Sequence, residues 1–397
     1  MEPTVIRDLP FESGFCADAG HGLPARLDFV LDIDPKTGII VQRLDDRIRE
    51  ALRTYYQTGG YGSTPLGEGE FAKRQAGQII DALDAALASA GKRIDASDFL
   101  EIGSSYGYLL HLLKQKGAKS VLGIEPGDEG IQGSRKYGIP LIQEFFPTEK
   151  LQGTFDVIFS HAVLEHIEDP LSIVEEMAKR LNSDGLIFFA VPECGKKLRV
   201  GDVSIISHQH VNYFTGRSLL RLLETVGLCD VKVVSSRQRS ILYAWGVKRE
   251  SSNPGLSAIE GDEPLLAAFS TAFGKNRRSM QEKVDDAERR GKHVGLYGTS
   301  IVLKGVLRFA QEPRLFDSDE AKLGKRMAGV GNTIEVPNAL LTDPVDVLFV
   351  CPIDYDTEIR TFLGGMGIQA TTEIVSLKEL YERNSGTAYA ADSTLAE

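Results

Sequence analysis

Residues 98–113 read DFLEIGSSYGYLLHLL. The apolar pair Phe99–Leu100 leads through Glu101 to a turn carrying Gly103 and Gly107, and from Tyr108 the apolar residues take up helical spacing. That is a strand, a glycine turn and a helix, the unit from which doubly wound α/β sheets are assembled. The same grammar repeats downstream. SVLGIE, DVIFS and GLIFFAV read as further strands, with EGIQGSRKYG, SIVEEMAKRLN and RSLLRLLETVG as the helices between and after them. Upstream, Phe71 to Ala90 carries a helical period. Strands and helices in alternation predict a mostly parallel sheet covered on both faces.

Around Glu250 the pattern stops in ESSNPGLSAIEGDEP, which is rich in breakers, and a helix is predicted from Pro264 to Arg290. Beyond it HVGLYG, RLFDSD, DVLFVC and ATTEIVS read as strands, with GVLRFAQ and TEIRTFLGG as helices. The expected organisation is an N-terminal module (residues 1–70), a central α/β domain (71–250), a smaller α/β domain (251–382) and a flexible polar tail (383–397).

The 397 residues include 45 Lys+Arg against 56 Asp+Glu, a formal net charge of -11, which argues against a nucleic-acid binder that works by neutralising phosphates. Cys16, Cys194, Cys229 and Cys351 have neither the density nor the spacing of a disulfide framework or zinc ribbon. The N-terminal stretch MEPTVIRDLPFESGF lacks an apolar targeting core, and no apolar run is long enough to span a bilayer. A cytoplasmic enzyme without nucleic-acid or membrane partners is expected, its oligomeric state, monomer or dimer, being open.

The turn after the first strand has an acid, Glu101, where a dinucleotide fingerprint has its first glycine. An acidic lining suits a cation. S-adenosylmethionine carries a sulfonium and an ammonium and no phosphate, so it is the adenosine-bearing ligand such a turn favours. Glu125 ends the next strand 22 residues after Gly103, close to the ~20-residue offset at which a carboxylate meets ribose hydroxyls.

A second concentration of chemistry is SHQHVNYF, residues 207–214. If extended, it points His208 and His210 to one face and Gln209 to the other, a possible metal pair with no third ligand beside it. No metal site is therefore expected. A general base is the better role for His210, because imidazole titrates near neutrality. For His208 a helix cap or a backbone hydrogen bond serves as well as a functional role.

Taken in order, LEIGSSYG, GIEPG, FDVIFSHAVLEHIEDP and LNSDGLIFFAVPE resemble the class I S-adenosylmethionine-dependent methyltransferases over Phe99 to Val234. SHQHVNYF resembles the "HEH…YFS" element of the C-methyltransferases that act on nucleotide-linked deoxysugars. HVGLYGTS, LFDSDEAKLGKRMAGVG, TIEVP and DVLFVCPIDYDTEI follow the order of that family's C-terminal domain, so the likeness extends over most of Tyr55 to Glu379.

The resemblance implies a seven-stranded Rossmann-like methyltransferase sheet plus a second, smaller Rossmann-like domain. It implies cofactor contacts at Glu101, Gly103, Gly107, Glu125, Phe145 and Ser160, and S-adenosylhomocysteine as the product. Tyr61, His166, Gln209 and His210 would surround the reacting sugar, with His210 as base. His208 and Tyr213 would approach the substrate. Gly298, Asp317, Lys322 and Tyr355 would meet the nucleotide of a nucleotide-diphosphate-linked keto-deoxysugar.

Three departures stand out. Gln209 and Ser207 replace an acidic residue and a tyrosine of the family. The family's N-terminal zinc module keeps only Cys16, with Ala19, Asp34 and Thr37 near the other ligand positions, so no zinc is expected. Lys304 stands about two places later than the usual lysine of the phosphate turn. The expected activity is base-assisted C-methylation through an enolate. O- or N-methylation of a sugar or related small molecule, and a non-catalytic sugar-nucleotide-binding protein, are the alternatives.

Overall fold

The computed structural model of the chain describes residues 2–11, 15–16, 23–57, 66–236, 241–250, 261–298, 301–320, 322–327 and 332–389. Its largest sheet has seven strands, ordered Cys229–Ser235, Ile241–Val247, Leu181–Pro192, Phe155–His161, Asp98–Ile102, Ser120–Ile124 and Leu141–Ile142. Numbered along the chain, that order is 6-7-5-4-1-2-3, and the seventh strand alone runs antiparallel to its neighbours. The reversal of direction on either side of the first strand opens a crevice at the carboxyl ends of strands one and four, where ligands of such sheets bind.

Alternation of side chains decides which helices cover which face. Phe99, Val157, Phe159, Phe188 and Tyr243 pack with Ile79, Ile80, Leu83 and Leu87 of the helix Gly69–Ser89, whose buried positions recur at three and four residues. Leu100, Ile158, Ile187 and Phe189 point the other way, onto Val174 and Met177 of Pro170–Lys179 and Leu219, Leu222 and Leu223 of Gly216–Thr225. Both helices begin where the sequence supplies a cap. Asp169 accepts from the Ser172 N–H ahead of Pro170, and Thr215 and Ser218 cap each other reciprocally.

A five-stranded parallel sheet follows, ordered Ile334–Glu335, Arg314–Phe316, Val294–Tyr297, Val347–Val350 and Glu373–Ser376. This is a second Rossmann-like unit, as expected, and the fold class read from the sequence holds. The helix expected over 305–311 is displaced to Ile301–Val306. The backbone N–H groups of Arg308 and Ala310 are taken by Gln281 Oε1 (2.9 Å) and Glu288 Oε1 (2.7 Å) of the long helix Glu263–Arg289, which pulls the chain out of helical register.

The N-terminal residues form an antiparallel four-stranded sheet, Thr4–Pro10, Arg26–Ile33, Ile40–Gln42 and Asn212–Tyr213. Its last strand comes from the SHQHVNYF segment. One apolar cluster joins Phe29 and Leu31 of this sheet to Leu198, to Phe269 and Met280 of the long helix, and to Leu296 and Phe349 of the second Rossmann-like unit. The part of the expected tail that is described is tied down: Asn384 bonds Asn276 and Ser279, and the Tyr389 hydroxyl donates to Asp354. Among the described residues no helix is long and apolar enough to cross a membrane.

Candidate active site

The carboxyl ends of the four central strands of the seven-stranded sheet surround a cavity of about 760 Å³. At its floor the chain leaves the strand at Ile102 and turns at Gly103, whose φ of +70° favours glycine. A Cβ there would stand 2.4 Å from Val163 Cγ2, so the turn passes against the neighbouring loop only without a side chain. Gly107, also left-handed, starts the helix Tyr108–Gln115 and shapes the turn without lining the cavity.

Glu125 ends the adjacent strand with one oxygen accepting the Ser105 N–H (2.9 Å) and the other the Gly127 N–H (2.9 Å). Burial raises its carboxyl and these two donors oppose the rise. Each oxygen keeps acceptor capacity for hydroxyls from the cavity. Glu101 is 3% exposed, and its Oε2 has no partner. Burial, and then the nearby Glu125, push its carboxyl well above the ordinary range.

Glu129 and Glu144 also line the space, and no Lys or Arg does among the described lining residues. Phe145, 69% exposed, stands at the rim, and Ser160 lines the floor. The donor set fits S-adenosylmethionine: an anchored carboxylate for ribose hydroxyls, a buried carboxyl with one unpartnered oxygen for an ammonium, an exposed ring for an adenine face and, among the described residues, no cation to repel the sulfonium. A pyrophosphate would meet like charge there.

At the far end the turn Leu164–His166 meets the loop 207–210. His166 Nδ1 lies 2.6 Å from the Gln209 carbonyl oxygen and 3.1 Å from the Tyr56 hydroxyl. The His166 and His210 rings are 5.1 Å apart in an edge-on contact. Removal from solvent, and then His166, hold His210 down to about 3, so its ring is neutral. Glu165, His166 and His210 bring donor atoms within 4.8 Å of one another, a size a divalent cation could bridge. No further His, Cys, Asp or Glu joins them among the described residues.

The structure separates residues that the sequence placed together. Loop 207–210 is a turn closed by His210 N–H on the Ser207 carbonyl (3.0 Å), so His208 and His210 do not share a face. His208 is 0% exposed, stacked on Phe11 at 5.4 Å and edge-on to Phe29 at 5.2 Å, and it does not line the cavity. It is a core histidine of the N-terminal sheet, and substrate approach is not its role. Tyr213 is also buried away from the cavity, its hydroxyl donating to the Ser207 carbonyl (3.1 Å) and accepting the Ser207 N–H (3.2 Å).

Gln209 borders the cavity, but its amide is committed. Its Oε1 accepts from Ser207 Oγ (2.6 Å) and its Nε2 donates to the Phe11 carbonyl (2.9 Å). Ser207 and Gln209 thus form one hydrogen-bonded pair. Tyr61 lies outside the described residues. His161, which ends the fourth strand and lines the same cavity, and Tyr56 were not singled out by sequence; a histidine one place past the strand's Ser160 was the available signal.

In the second Rossmann-like unit Gly298, Asp317 and Tyr355 follow the carboxyl ends of three adjacent strands. Gly298 has φ +76°, and a Cβ would meet Pro352 Cγ at 2.2 Å. Lys322 Nζ is spent on Asp317 Oδ2 (2.9 Å) and is not a free cation. The Lys304 side chain lies outside the described residues.

Residues 71–233 match the family model of a methyltransferase domain. The chain is 27% identical over 320 residues to the C-methyltransferase NovU of Streptomyces niveus, covering 74% of this chain and 76% of that one. It is 28% identical over 120 residues to a ubiquinone biosynthesis O-methyltransferase of Neisseria meningitidis, covering 28% of this chain and 48% of the relative. A solved structure of magnesium protoporphyrin IX methyltransferase from Synechocystis PCC 6803 superposes on 52% of this chain and 98% of that one, at 16% identity and a TM-score of 0.37. With its seven-stranded sheet and this matched domain, the chain is a methyltransferase built on the class I S-adenosylmethionine-dependent fold.

Proposed function

We propose that this chain methylates a carbon of a nucleotide-diphosphate-linked keto-deoxysugar, with S-adenosylmethionine as donor. The observation that carries the reading is the pairing of His166 and His210 at one end of an acid-lined cavity whose other end presents Glu125. Bound there, the cofactor supplies an electrophilic methyl group and leaves as S-adenosylhomocysteine. Glu125 takes the ribose hydroxyls, Glu101 the ammonium, and Phe145 the adenine face.

A carbonyl next to the target carbon acidifies its C–H, and the neutral His210 is positioned to accept that proton. Holding the carbon in line with the methyl group contributes up to roughly 7–11 kcal/mol of barrier reduction, so a remote anchor on the substrate is useful. The second Rossmann-like unit suits that task. Gly298, Asp317 and Tyr355 gather at one sheet edge, the place where such sheets take nucleotides, with Lys322 neutralising part of the Asp317 charge. The likeness to NovU, itself a C-methyltransferase, supports the carbon acceptor.

One observation favours a second reading, methylation of a hydroxyl. Gln209 is neutral and hydrogen-bonded at both ends, so the loop offers His210 alone for proton transfer, enough for an O–H acceptor. The likeness to ubiquinone biosynthesis O-methyltransferases, of which the chain spans about half the length, agrees with it. Incubation with S-adenosylmethionine and a panel of nucleotide-linked keto-deoxysugars, followed by mass spectrometry and NMR of the product, tests both. A new C–CH3 group on a nucleotide sugar supports the first reading, an O–CH3 group supports the second, and transfer only to sugar-free phenols or amines overturns the first.

A further inference from the structure

Methyl transfer to carbon or oxygen leaves a proton behind, and the enclosed end of this cavity is a poor place for an isolated imidazolium. The proton passes from the substrate C–H or O–H to a ring nitrogen. The electron pair it leaves forms the new bond to the methyl group, and the methyl–sulfur pair stays on sulfur, which becomes a neutral thioether. Gln209, at the edge of the same space, is a neutral amide already engaged with Ser207 and Phe11 and offers no charge to balance an imidazolium.

A carboxylate is in reach. Glu165, in the turn Leu164–His166, is 2% exposed and lines the cavity. Its Oε1 lies 4.0 Å from His166 Nε2, and its Oε2 has no partner. The turn is fixed from outside: Val211 N–H donates to the Glu165 carbonyl (2.7 Å), and Asn212 Nδ2 donates to the Leu164 and Ile167 carbonyls. On the other side of the ring a carbonyl can only accept, so His166 Nδ1, 2.6 Å from the Gln209 oxygen, carries the proton and Nε2 is left with its lone pair. Among the described residues the groups facing this ring are Tyr56 from the helix Asp46–Gln57, Glu165 from its own turn, and His210 from the loop.

We propose that Glu165 is the charge partner of the His166–His210 pair, a positioning residue set beside both rings. A neutral imidazole gains little from a carboxylate 4.0 Å away, whereas an imidazolium gains a great deal, so the interaction strengthens as the substrate proton arrives. Burial holds the Glu165 carboxyl above its ordinary range, and the neighbouring His166 opposes that rise. The proposal rests on the methyl-transfer reading of the cavity.

Two measurements on the full chain test it. In turnover, E165Q is expected to leave S-adenosylmethionine affinity within about twofold, to lower kcat by about 100-fold, and to move the acid limb of the kcat pH profile to lower pH, with E165D recovering part of the rate. In the absence of any sugar, imidazole NMR titration, assigned with H166N and H210N, is expected to show a histidine of the pair titrating at lower pH in E165Q than in the parent. The NMR result stands even where no sugar is methylated, so failure of the substrate reading and failure of this proposal are separable. Unchanged histidine titration in E165Q, or a lower kcat with an unmoved acid limb, overturns it. So does stoichiometric metal in the purified protein with activity lost to a chelator, because Glu165 would then be a ligand.

Discussion

Gln209 donates its side-chain amide to the backbone carbonyl of Phe11, 198 residues earlier in the chain. That bond fastens the histidine loop to the N-terminal sheet. Gln42 adds to it: with its amide turned toward the loop it donates to the His208 and His210 carbonyls (3.0 and 3.1 Å) and accepts from His208 Nδ1. The N-terminal module, without the cysteines of a zinc site, is thereby the frame against which the candidate base is held.

Removing that bond should cost stability first. Gln209→Ala leaves the Phe11 carbonyl without this donor, which costs about 1–3 kcal/mol. Gln209→Glu should be no better, because a carboxylate would face the Phe11 carbonyl oxygen. Urea unfolding of both variants is expected to show lower midpoints than the parent. His210→Asn, by contrast, should keep the midpoint and lose kcat by roughly 100-fold or more.

Cofactor affinity should depend on Glu125. Glu125→Ala removes acceptors for ribose hydroxyls and for the Ser105 and Gly127 N–H groups, so affinity for S-adenosylmethionine should fall by roughly 10- to 100-fold. Isothermal titration calorimetry measures this directly. Affinity within twofold of the parent would remove Glu125 from the cofactor site.

Gly103→Ala places a Cβ 2.4 Å from Val163 Cγ2 at a φ of +70°. Strain of about 1–3 kcal/mol follows, together with a shifted turn. Thermal denaturation should show the loss. In Gly103→Ala/Val163→Ala the contact is relieved while the φ cost remains, so the double variant should recover part of it.

Acid should destabilise the protein earlier than its carboxylates alone would. Burial holds His161 and His208 down to about 4 and His210 down to about 3, against an ordinary value near 6.5. Because the folded state favours the neutral rings, their contribution is present above pH 6.5 and is lost as pH falls from there toward 4. For His208 alone the loss between pH 7 and 4.5 is of order 2 kcal/mol. His208→Phe, which keeps the aromatic contacts with Phe11 and Phe29, should flatten the pH dependence of urea stability over that range. An unchanged slope would mean that His208 is not held neutral.

The central sheet was legible because its signals are local. Glu101, Gly103 and Glu125 sit at fixed offsets from strands whose apolar runs are short and bounded by glycines. The strands of the second unit were legible for the same reason. The histidine end of the cavity was not, since it is assembled from a turn at 164–166, a loop at 207–210 and a helix at 46–57 whose meeting is a tertiary fact. An extended reading of SHQH put His208 beside His210, whereas the Ser207–His210 turn and the stacking of His208 on Phe11 send the two rings apart. Nor could sequence reveal that Lys322 is paired with Asp317, or that the 3-10 turn aims Glu165 at the histidines.

The most direct measurement is ¹³C NMR of the product formed from S-adenosylmethionine labelled at its methyl group and a nucleotide-linked keto-deoxysugar. The expected result is a labelled methyl carbon coupled directly to a sugar carbon, abolished in His210→Asn. A labelled methoxy resonance, or no transfer to any nucleotide-linked sugar while S-adenosylmethionine binds, would contradict carbon methylation as the function of this site.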